Sequence, residues 1–232
     1  MALIKYLANL GYGTRREVTA LVRARRVTLP DGCVVREGDP WTHDALLVDG
    51  DALDPPPGSV IMLHKPVGYV VSSKDVPPLV YEMLPSRFVR RSPVMAPVGR
   101  LDRDTSGLLL FTDDGALNHR LTSPRSHVPK HYCATLAEPL RGHEASRLAS
   151  GTLILAGEVE PLAPIALSAV SACIVSVTLH EGRYHQVRRM FAALGNHVTA
   201  LHRDAIGALT LDHLAPGAWR LLTTAERALL TD

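Results

Sequence analysis

The stretch of sequence that decides the fold is Gly99-Arg-Leu-Asp-Arg-Asp-Thr-Ser-Gly-Leu-Leu-Leu-Phe-Thr112. It opens as a polar loop and closes as an apolar run, a pattern that predicts an exposed loop entering a buried strand. The loop carries two arginines and two aspartates that local structure alone does not require. A carboxylate between Arg100 and Arg103 stays ionised, ready to act as a nucleophile or a base, which makes Asp102 a candidate catalytic residue. The structural alternative is that these charges cap a turn and pair with one another.

Further apolar, β-rich runs lie on both sides of this stretch. They predict strands at residues 60–63, 69–71, 108–112, 132–136, 174–179 and 198–201, with helical segments between them. Their spacing is too uneven for a repeated strand-helix unit. We therefore expect an α+β fold with a mixed, largely antiparallel sheet and helices packed on it, not a doubly wound fold.

A proline-rich linker, Asp54-Pro-Pro-Pro-Gly58, divides the chain. Three consecutive prolines fix φ and remove three hydrogen-bond donors, so this run is neither a helix nor a central strand. We therefore predict a small domain at residues 1–54, a linker at residues 55–59 that lets the small domain swing, and a larger domain at residues 60–232.

The small domain is predicted to hold two helices followed by a small sheet. Apolar residues fall at helical spacing between Leu3 and Leu10, and Gly11 ends that helix. Next, Thr14-Arg-Arg-Glu17 has the capping-box pattern that starts a second helix. Short β-like runs follow at residues 27–29, 33–35 and 46–48.

The net charge is only +2, but the charges are unevenly distributed. Residues 31–58 are acidic, whereas residues 1–30 combine one acid, Glu17, with six cations. The cations are Lys5, Arg15, Arg16, Arg23, Arg25 and Arg26. Because arginines in the first turn of a helix oppose its dipole, helix stability does not explain Arg15 and Arg16. A phosphate at that terminus would meet free amides and two guanidiniums, so we predict an anion site, with a solvated basic face as the alternative.

Composition and motif searches exclude several classes of protein. With 46% hydrophobic and 21% charged residues in 232, the chain can bury a core and is not disordered. It has no run of about 20 apolar residues and no signal-peptide pattern at its start. The three cysteines are far apart and odd in number, and the 11 histidines are scattered, so neither a disulfide framework nor a metal site is supported. We expect a cytoplasmic protein without a metal.

A second polar segment, Glu181-Gly-Arg-Tyr-His-Gln-Val-Arg-Arg-Met190, is typical of a turn that runs into a helix. Apolar residues from Val187 to Leu194 form the buried stripe of this helix. Tyr184 and Arg188 stand four residues apart on its flank, so the arginine can lean over the edge of the core into a cleft. An ordinary amphipathic helix with exposed arginines is the alternative.

Taken together, these segments resemble the bacterial pseudouridine synthases that modify small-subunit (16S) ribosomal RNA, over nearly the whole chain. The segment from Val98 to Leu108 is similar to the family's catalytic motif, Lys130-His-Tyr132 to its tyrosine motif, and the segment from Glu181 to Met190 to its arginine motif. The first 50 residues resemble an S4 RNA-binding domain, which would place the six cations of residues 1–30 on RNA. The partner implied is ribosomal RNA or a pre-ribosomal small-subunit particle.

The resemblance implies that a flipped uridine is isomerised: its C1′–N1 bond is cut, the uracil is rotated, and C5 is joined to C1′. No cofactor is implied. The implied catalytic residues are Asp102 as the essential carboxylate, Arg188 as its ion-pair partner and Tyr132 as a stacking group for the base. The implied substrate-binding residues are Leu201 near the base, Arg100 in the gap left by the flipped uridine, and Arg103, Arg183 and Arg189.

Several alternatives stay open from the sequence. A synthase acting on 23S ribosomal RNA is one, a non-enzymatic rRNA-binding assembly factor is another, and a nucleoside hydrolase that cuts the same bond is a third. Asp102 could attack C1′, attack C6, or remove a proton from C2′. A monomer is expected, because neither a heptad pattern nor a large apolar patch argues for association.

Overall fold

The computed structural model describes residues 1–230, except for the side chain of Pro124. The last two residues of the predicted larger domain, Thr231 and Asp232, lie outside the described residues. The α-helices are α1 Leu3–Asn9, α2 Arg15–Arg23, α3 Ser86–Val89, α4 Gly115–Thr122, α5 Glu144–Ala149, α6 Gln186–Ala193 and α7 Thr224–Ala228. The strands are β1 Val27–Thr28, β2 Leu47–Val48, β3 Asp51–Ala52, β4 Val60–Lys65, β5 Ala96–Pro97, β6 Thr105–Thr112, β7 Lys130–Leu136, β8 Ala166–Ala169, β9 Ile174–Leu179, β10 Val198–Ile206, β11 Leu209–Thr210 and β12 Trp219–Leu221.

The first 54 residues form two helices and a three-stranded antiparallel sheet with the order β1-β2-β3. The capping box predicted at α2 is confirmed: the Thr14 side chain accepts from the Glu17 amide, and the Glu17 carboxylate accepts from the Thr14 amide. The helices and the sheet enclose a core of their own. Its fully buried members include Leu3, Leu7 and Val27.

The strand predicted at residues 33–35 is wrong. Only Val34 pairs, in a single antiparallel bridge with Thr28. The amide of Cys33 donates to the Asp31 carboxylate at 2.9 Å, so this amide is not available to extend a ladder. The third strand of the small sheet is β3 instead.

The larger unit is built on a nine-stranded sheet whose main path runs β12-β4-β6-β10-β7-β9-β8. Strands β6 and β10 are parallel, and every other pair in this sheet is antiparallel, which confirms the predicted α+β class and mixed sheet. Strand β6 is buried on both faces, because Leu108 and Leu110 join one apolar cluster while Leu109 and Phe111 join another. Its continuous apolar run is the pattern that burial on both faces requires.

The strand predicted at residues 69–71 is also wrong. Val70 makes only an isolated parallel bridge with Leu79. The two residues before Leu79 are Pro77 and Pro78, which have no amide hydrogen and so cannot donate to a longer ladder.

The small and large units touch along a seam beside the proline-rich linker. The Ser92 amide donates to the Asn9 carbonyl at 2.8 Å. Arg87 forms an ion pair with Asp54, with Nη2 and Oδ1 3.0 Å apart, and its guanidinium lies 5.0 Å from the centre of the Tyr12 ring. The freely swinging small domain predicted from the prolines is therefore corrected, since these contacts hold it against the sheet domain. Among residues 1–230, no helix has the length and apolar character needed to cross a membrane.

Candidate active site

A cavity of about 330 Å³ opens on one face of the large sheet. Five parts of the chain form its wall: the loop at residues 99–105, the end of α4 at residues 122–123, strand β7, the segment at residues 179–187, and strand β10. The loop, β7 and the segment at residues 179–187 carry the three motifs found in the sequence, so the fold brings the predicted motifs to one place.

Asp102 lies in the wall of this cavity, at the start of a tight turn. The Thr105 amide donates to the Asp102 carbonyl at 3.0 Å, which closes the turn and leads directly into β6. The Asp102 side chain is 32% exposed, and Oδ1 lies 3.3 Å from Nε2 of His185. The carboxylate is therefore open to a ligand while one imidazole holds it in place.

His185 is itself held in an uncommon position. Its backbone is left-handed, with φ of +47°, at the residue before α6. The ring of Tyr184 stacks on it, with centroids 3.8 Å apart and planes 17° apart. The segment that precedes α6 therefore directs the His185 imidazole toward Asp102, and the Tyr184 ring covers one face of that imidazole. Tyr184 lies outside the helix, so the predicted pairing of Tyr184 and Arg188 on one helix face is corrected.

Lys65, at the end of β4, binds the backbone of the loop that carries Asp102. It is fully buried, and its Nζ donates to the carbonyls of Asp102 at 3.1 Å, Arg103 at 3.3 Å and Thr105 at 2.7 Å, and also to Pro66 at 3.0 Å. Burial lowers the pKa of Lys65 to about 8, against the opposing effect of the nearby carboxylates. One ammonium group thus binds three carbonyls at the end of the loop.

Arg188 completes this support, and the ion pair predicted between Arg188 and Asp102 is absent from the described structure. The guanidinium donates to the Asp104 carbonyl and to the Val198 carbonyl, each at 2.9 Å. With Lys65 bound to residues 102, 103 and 105, every carbonyl from residue 102 to 105 accepts a hydrogen bond from a cationic side chain. Arg188 therefore stabilises the backbone of the loop, and His185 is the residue that lies next to the Asp102 carboxylate.

Tyr132 and Leu201 line the cavity, as the resemblance implies. Leu201 is 6% exposed and gives the cavity an apolar patch, while Tyr132 is half-buried on the neighbouring strand. Arg100 also lines the cavity and is exposed, and its guanidinium has no partner among the described residues. Behind them the wall is cationic, because Lys130 and Arg203 line the same cavity, and burial together with the charge of Arg203 lowers the pKa of Lys130.

Three predicted substrate-binding arginines bind other parts of the chain, although Arg183 also lines the cavity. Arg183 and Arg189 both form ion pairs with Glu158, the second with Nη1 and Oε1 2.6 Å apart, and both also donate to backbone carbonyls. The guanidinium of Arg103 is exposed outside the cavity wall and donates to the Gly68 carbonyl at 3.1 Å. These contacts occupy the donors of Arg183, which still lines the cavity, and of Arg189, whereas both Nη groups of Arg103 have no partner among the described residues.

The cations predicted to contact RNA in the small domain are exposed, and one of them is paired. The exposed set is Lys5, Arg15, Arg16, Arg23, Arg25 and Arg26. Arg26 makes a two-point ion pair with Asp49, at 2.6 and 2.7 Å, so its charge is partly neutralised. The start of α2 also already holds the Glu17 carboxylate, whose pKa is lowered by the amide of Thr14.

Sequence reasoning did not single out Lys65, His185 or Arg203. A signal existed for two of them. Lys65 ends a strand that begins with four apolar residues, and the alternation of β10 places Arg203 on the face of the buried residues Leu201 and Ala205. A charged side chain at a buried position of a strand indicates that nearby polar groups of the protein bind it. His185 gave no such signal, because its left-handed backbone and its contact with Asp102 depend on the tertiary structure.

Comparison with known proteins agrees with this geometry. A family model described as RNA pseudouridylate synthase matches residues 59–193. The ribosomal small subunit pseudouridine synthases A of Yersinia pestis and Escherichia coli (strain K12) are 43% and 42% identical to this chain. Each match covers 98% of this chain, and 97% and 99% of the two relatives. A crystal structure of a pseudouridylate synthase matches with a TM-score of 0.70 and 38% identity, covering 99% of both chains.

These matches assign the chain to the enzymes that modify RNA, and the mixed sheet and the carboxylate-bearing cavity agree with that class. The family model spans more than half of the chain, and the chain belongs to the RNA pseudouridylate synthase family. The family and the enzyme class predicted from the motifs are confirmed. The roles of individual site residues stay predictions.

The contact between His185 and Asp102 leads to a testable prediction. We expect His185→Ala to lower the single-turnover rate of pseudouridine formation about tenfold, because the Asp102 carboxylate loses the polar ring nitrogen that lies 3.3 Å from it. His185→Gln should recover most of the rate, since its Nε2 can donate from a similar position. Both variants place a non-glycine residue at the same left-handed position, so their difference isolates the donor. Equal rates for the two variants would contradict this role.

Proposed function

We propose that this enzyme isomerises a uridine of small-subunit ribosomal RNA to pseudouridine. The observation that supports it most is the placement of Asp102, whose carboxylate opens into a cavity lined by the aromatic ring of Tyr132 and the apolar side chain of Leu201. A uridine stacked in RNA is out of reach, so it must be flipped into such a cavity. An aromatic face and an apolar wall suit a pyrimidine, and an ionised carboxylate stabilises positive character at the sugar carbon.

The choice of small-subunit RNA rests on the relatives. Those matched over nearly their full length are named ribosomal small subunit pseudouridine synthase A. We accordingly favour 16S over 23S ribosomal RNA, and an enzyme over a non-enzymatic assembly factor. The proposal places the enzyme in the cytoplasm, acting as a monomer on ribosomal RNA or a pre-ribosomal particle.

One experiment tests the proposal. Purified protein is incubated with 16S and, separately, 23S ribosomal RNA transcribed without modifications, and pseudouridine is mapped by carbodiimide-dependent stops in reverse transcription. The expected result is a stop at one uridine of the 16S transcript that is absent with Asp102→Asn. Free uracil as product would indicate a hydrolase. Stops in the 23S transcript alone would identify 23S ribosomal RNA as the substrate. No stop in either RNA would overturn the proposal.

In this proposal the N-terminal unit is an S4-like RNA-binding domain that supplies affinity. Its support is the exposed, unpaired guanidiniums along α2, where Arg16 and Arg23 border a shallow depression. Cations of this kind neutralise phosphates and make binding dependent on salt. Arg100, exposed at the cavity mouth, is proposed to enter the helix where the flipped uridine leaves a gap.

A double substitution tests this division of tasks. We expect Arg15→Gln with Arg16→Gln to weaken RNA binding and to reduce the slope of log K against log salt by about 1 to 2, since each lost phosphate contact contributes about 0.9. The single-turnover rate at saturating enzyme should stay near the wild-type value, because the two residues lie outside the cavity. Arg147→Gln with Arg227→Gln, two exposed or half-exposed arginines of the sheet domain, is the charge-matched control. Loss of the saturated rate in the first variant alone would contradict the assignment.

A further inference from the structure

One stretch of the sheet domain, residues 115–137, contains no acidic residue. Its exposed cations are Arg120, in the last turn of α4, and Arg125, a few residues beyond that helix. Neither guanidinium has a hydrogen bond or an ion pair with any other group of residues 1–230. The stretch therefore presents two free positive charges, and no carboxylate of its own opposes them.

The segment that carries both arginines, residues 119–127, lies on the rim of the cavity. Thr122 lines the cavity and packs beside the catalytic loop, since a Cβ added at Gly99 would lie 3.9 Å from its Cγ2. At the other end of the segment, His180 lines the cavity, and its Nδ1 donates to the His127 carbonyl at 2.9 Å. The segment thus follows the rim from the catalytic loop to the end of β9.

The helix does not need these two guanidiniums to complete its end. Cations near the C-terminus of a helix often bind its last carbonyls. In α4, however, the Thr122 hydroxyl donates to the Asn118 carbonyl at 2.8 Å. The Ser126 hydroxyl donates to the carbonyl of Arg120. These bonds fix the shape of the segment and leave the side chains of Arg120 and Arg125 available to a ligand.

A neighbouring part of the rim has the opposite charge. Glu181 lines the cavity and shares a shallow depression with Glu158 and Glu160. Glu158 is neutralised by two arginines. Glu160 is exposed, and its carboxylate has no partner in the part of the chain that the structure describes. A phosphate is therefore repelled at this part of the rim and attracted to residues 119–127.

We propose that residues 119–127 bind the backbone of the RNA strand that carries the target uridine, with Arg120 and Arg125 on phosphates beside the flipped nucleotide. The strand lies along this segment and not over Glu160. A flipped nucleotide turns about its own backbone, so the phosphates next to it must be held while the base is in the cavity. This inference rests on the proposed function and names the face of the sheet domain that holds the substrate strand.

The surface at residues 119–127 differs from α2 in what its loss affects. Phosphate contacts made by α2 lie outside the cavity and supply affinity alone. Contacts beside the flipped nucleotide also stabilise the flipped state, which is the state that reacts. Their removal therefore lowers the rate at saturating enzyme as well as the affinity.

The test uses Arg120→Gln with Arg125→Gln and an unmodified 16S transcript. We expect the slope of log K against log salt to fall by about 1 to 2, since each phosphate contact contributes about 0.7 to 0.9. Arg120→Lys with Arg125→Lys keeps both charges and should recover the slope. Arg147→Gln with Arg227→Gln is the charge-matched control in the same domain and should behave as wild type.

The rate is measured on RNA transcribed with tritium at uridine C5, which is released when C5 joins C1′. At saturating enzyme we expect Arg120→Gln with Arg125→Gln to lower the single-turnover rate of release about tenfold, because hydrogen bonds from charged donors are lost beside the reacting nucleotide. A wild-type protein that releases no tritium would overturn the proposed function. A reduced salt slope in the double variant would still support this surface as an RNA-binding one.

Ethylation of single phosphates locates the contacts without turnover. In a 16S fragment that contains the modified uridine, ethyl groups on the phosphates beside that uridine should weaken binding of the wild type. Arg120→Gln with Arg125→Gln should lose this interference, whereas Arg15→Gln with Arg16→Gln should keep it. An unchanged salt slope, or interference that persists in the first variant, would overturn the inference. Lower thermal stability of Arg120→Gln with an unchanged slope would also overturn it, because the residue would then only stabilise its helix.

A second variant tests the path of the strand. Glu160→Arg places a cation on the acidic part of the rim, at an exposed position where folding is not affected. If the strand lies along residues 119–127, the salt slope of this variant equals that of the wild type. A slope that increases by about 0.7 to 0.9 would place a phosphate at residue 160 and overturn the proposed path.

Discussion

Asp102→Asn is expected to abolish pseudouridine formation, with a loss in single-turnover rate of about ten-thousandfold or more, the scale seen when a reacting carboxylate, hydroxyl or imidazole is removed from an enzyme. The amide has the same shape as the carboxylate, but it can neither attack carbon nor accept a proton at neutral pH. The side chain is a third exposed and is held by one contact with His185, so the substitution leaves the core intact. Tritium release from RNA labelled at uridine C5 measures the effect.

A measurement of RNA affinity distinguishes the loss of catalysis in Asp102→Asn from misfolding of the variant. Filter binding should show that Asp102→Asn binds RNA as tightly as wild type or more tightly, because one negative charge facing the phosphates is removed. The matched control is Asp104→Asn, two residues along the same loop, whose side chain is exposed outside the cavity wall. Retention of more than about a hundredth of the wild-type rate by Asp102→Asn would argue against a direct chemical role.

Lys65→Met is expected to reduce the single-turnover rate about a hundredfold, because the loop that carries Asp102 loses the ammonium that fixes three of its carbonyls. A displacement of about 1 Å in a reacting group is enough for such a loss. The effect on stability is smaller, since removal of a buried charge offsets part of the cost of the unpartnered carbonyls. Lys74→Met, at an exposed lysine of the same domain, is the control.

The pH dependence of Lys65 has a definite sign. Its pKa is about 8 in the folded protein and lies below the ordinary value of 10.5. Between these values the folded chain has released a proton that the unfolded chain keeps, so the contribution of this group to stability rises with pH. Deprotonation nevertheless removes the positive charge from the Lys65 nitrogen that binds the loop carbonyls. We expect the wild-type rate to decline above about pH 8 without a parallel fall in thermal stability, and the residual rate of Lys65→Met to lack that inflection. An identical inflection in the variant would assign it to another group.

Patterns of local sequence were enough to predict the architecture and two of the three motif segments, whereas the tyrosine motif at Lys130-His-Tyr132 came only from the family resemblance. Continuous burial made the run from Leu108 to Thr112 recognisable, and the capping box fixed the start of α2. Two predicted strands failed where backbone donors were missing or already used, at the prolines before Leu79 and at the amide of Cys33. A hydrophobic pattern does not show whether a backbone amide is missing or already hydrogen-bonded, so it does not predict where a strand fails to form.

The catalytic loop shows the same limit at the level of the site. Asp102 could be singled out because a carboxylate between arginines is a local pattern. Its neighbours could not, because the partner in space is His185 and the arginine predicted for that role, Arg188, binds the loop backbone instead. The distances that decide these roles arise only when β6, β10 and the start of α6 are assembled.

That assembly has a consequence for how the enzyme comes into being during its synthesis. Strand β10 stands between β6 and β7, and it contributes Arg203 and Leu201, whereas Lys65 arrives at the beginning of the same domain. A nascent chain that has already exposed Asp102, Tyr132 and every motif residue still lacks the central strand that joins them. Because closure across such long stretches of chain comes late, the polypeptide emerging from a ribosome can modify ribosomal RNA only after strand β10 has been synthesised and has paired with β6 and β7.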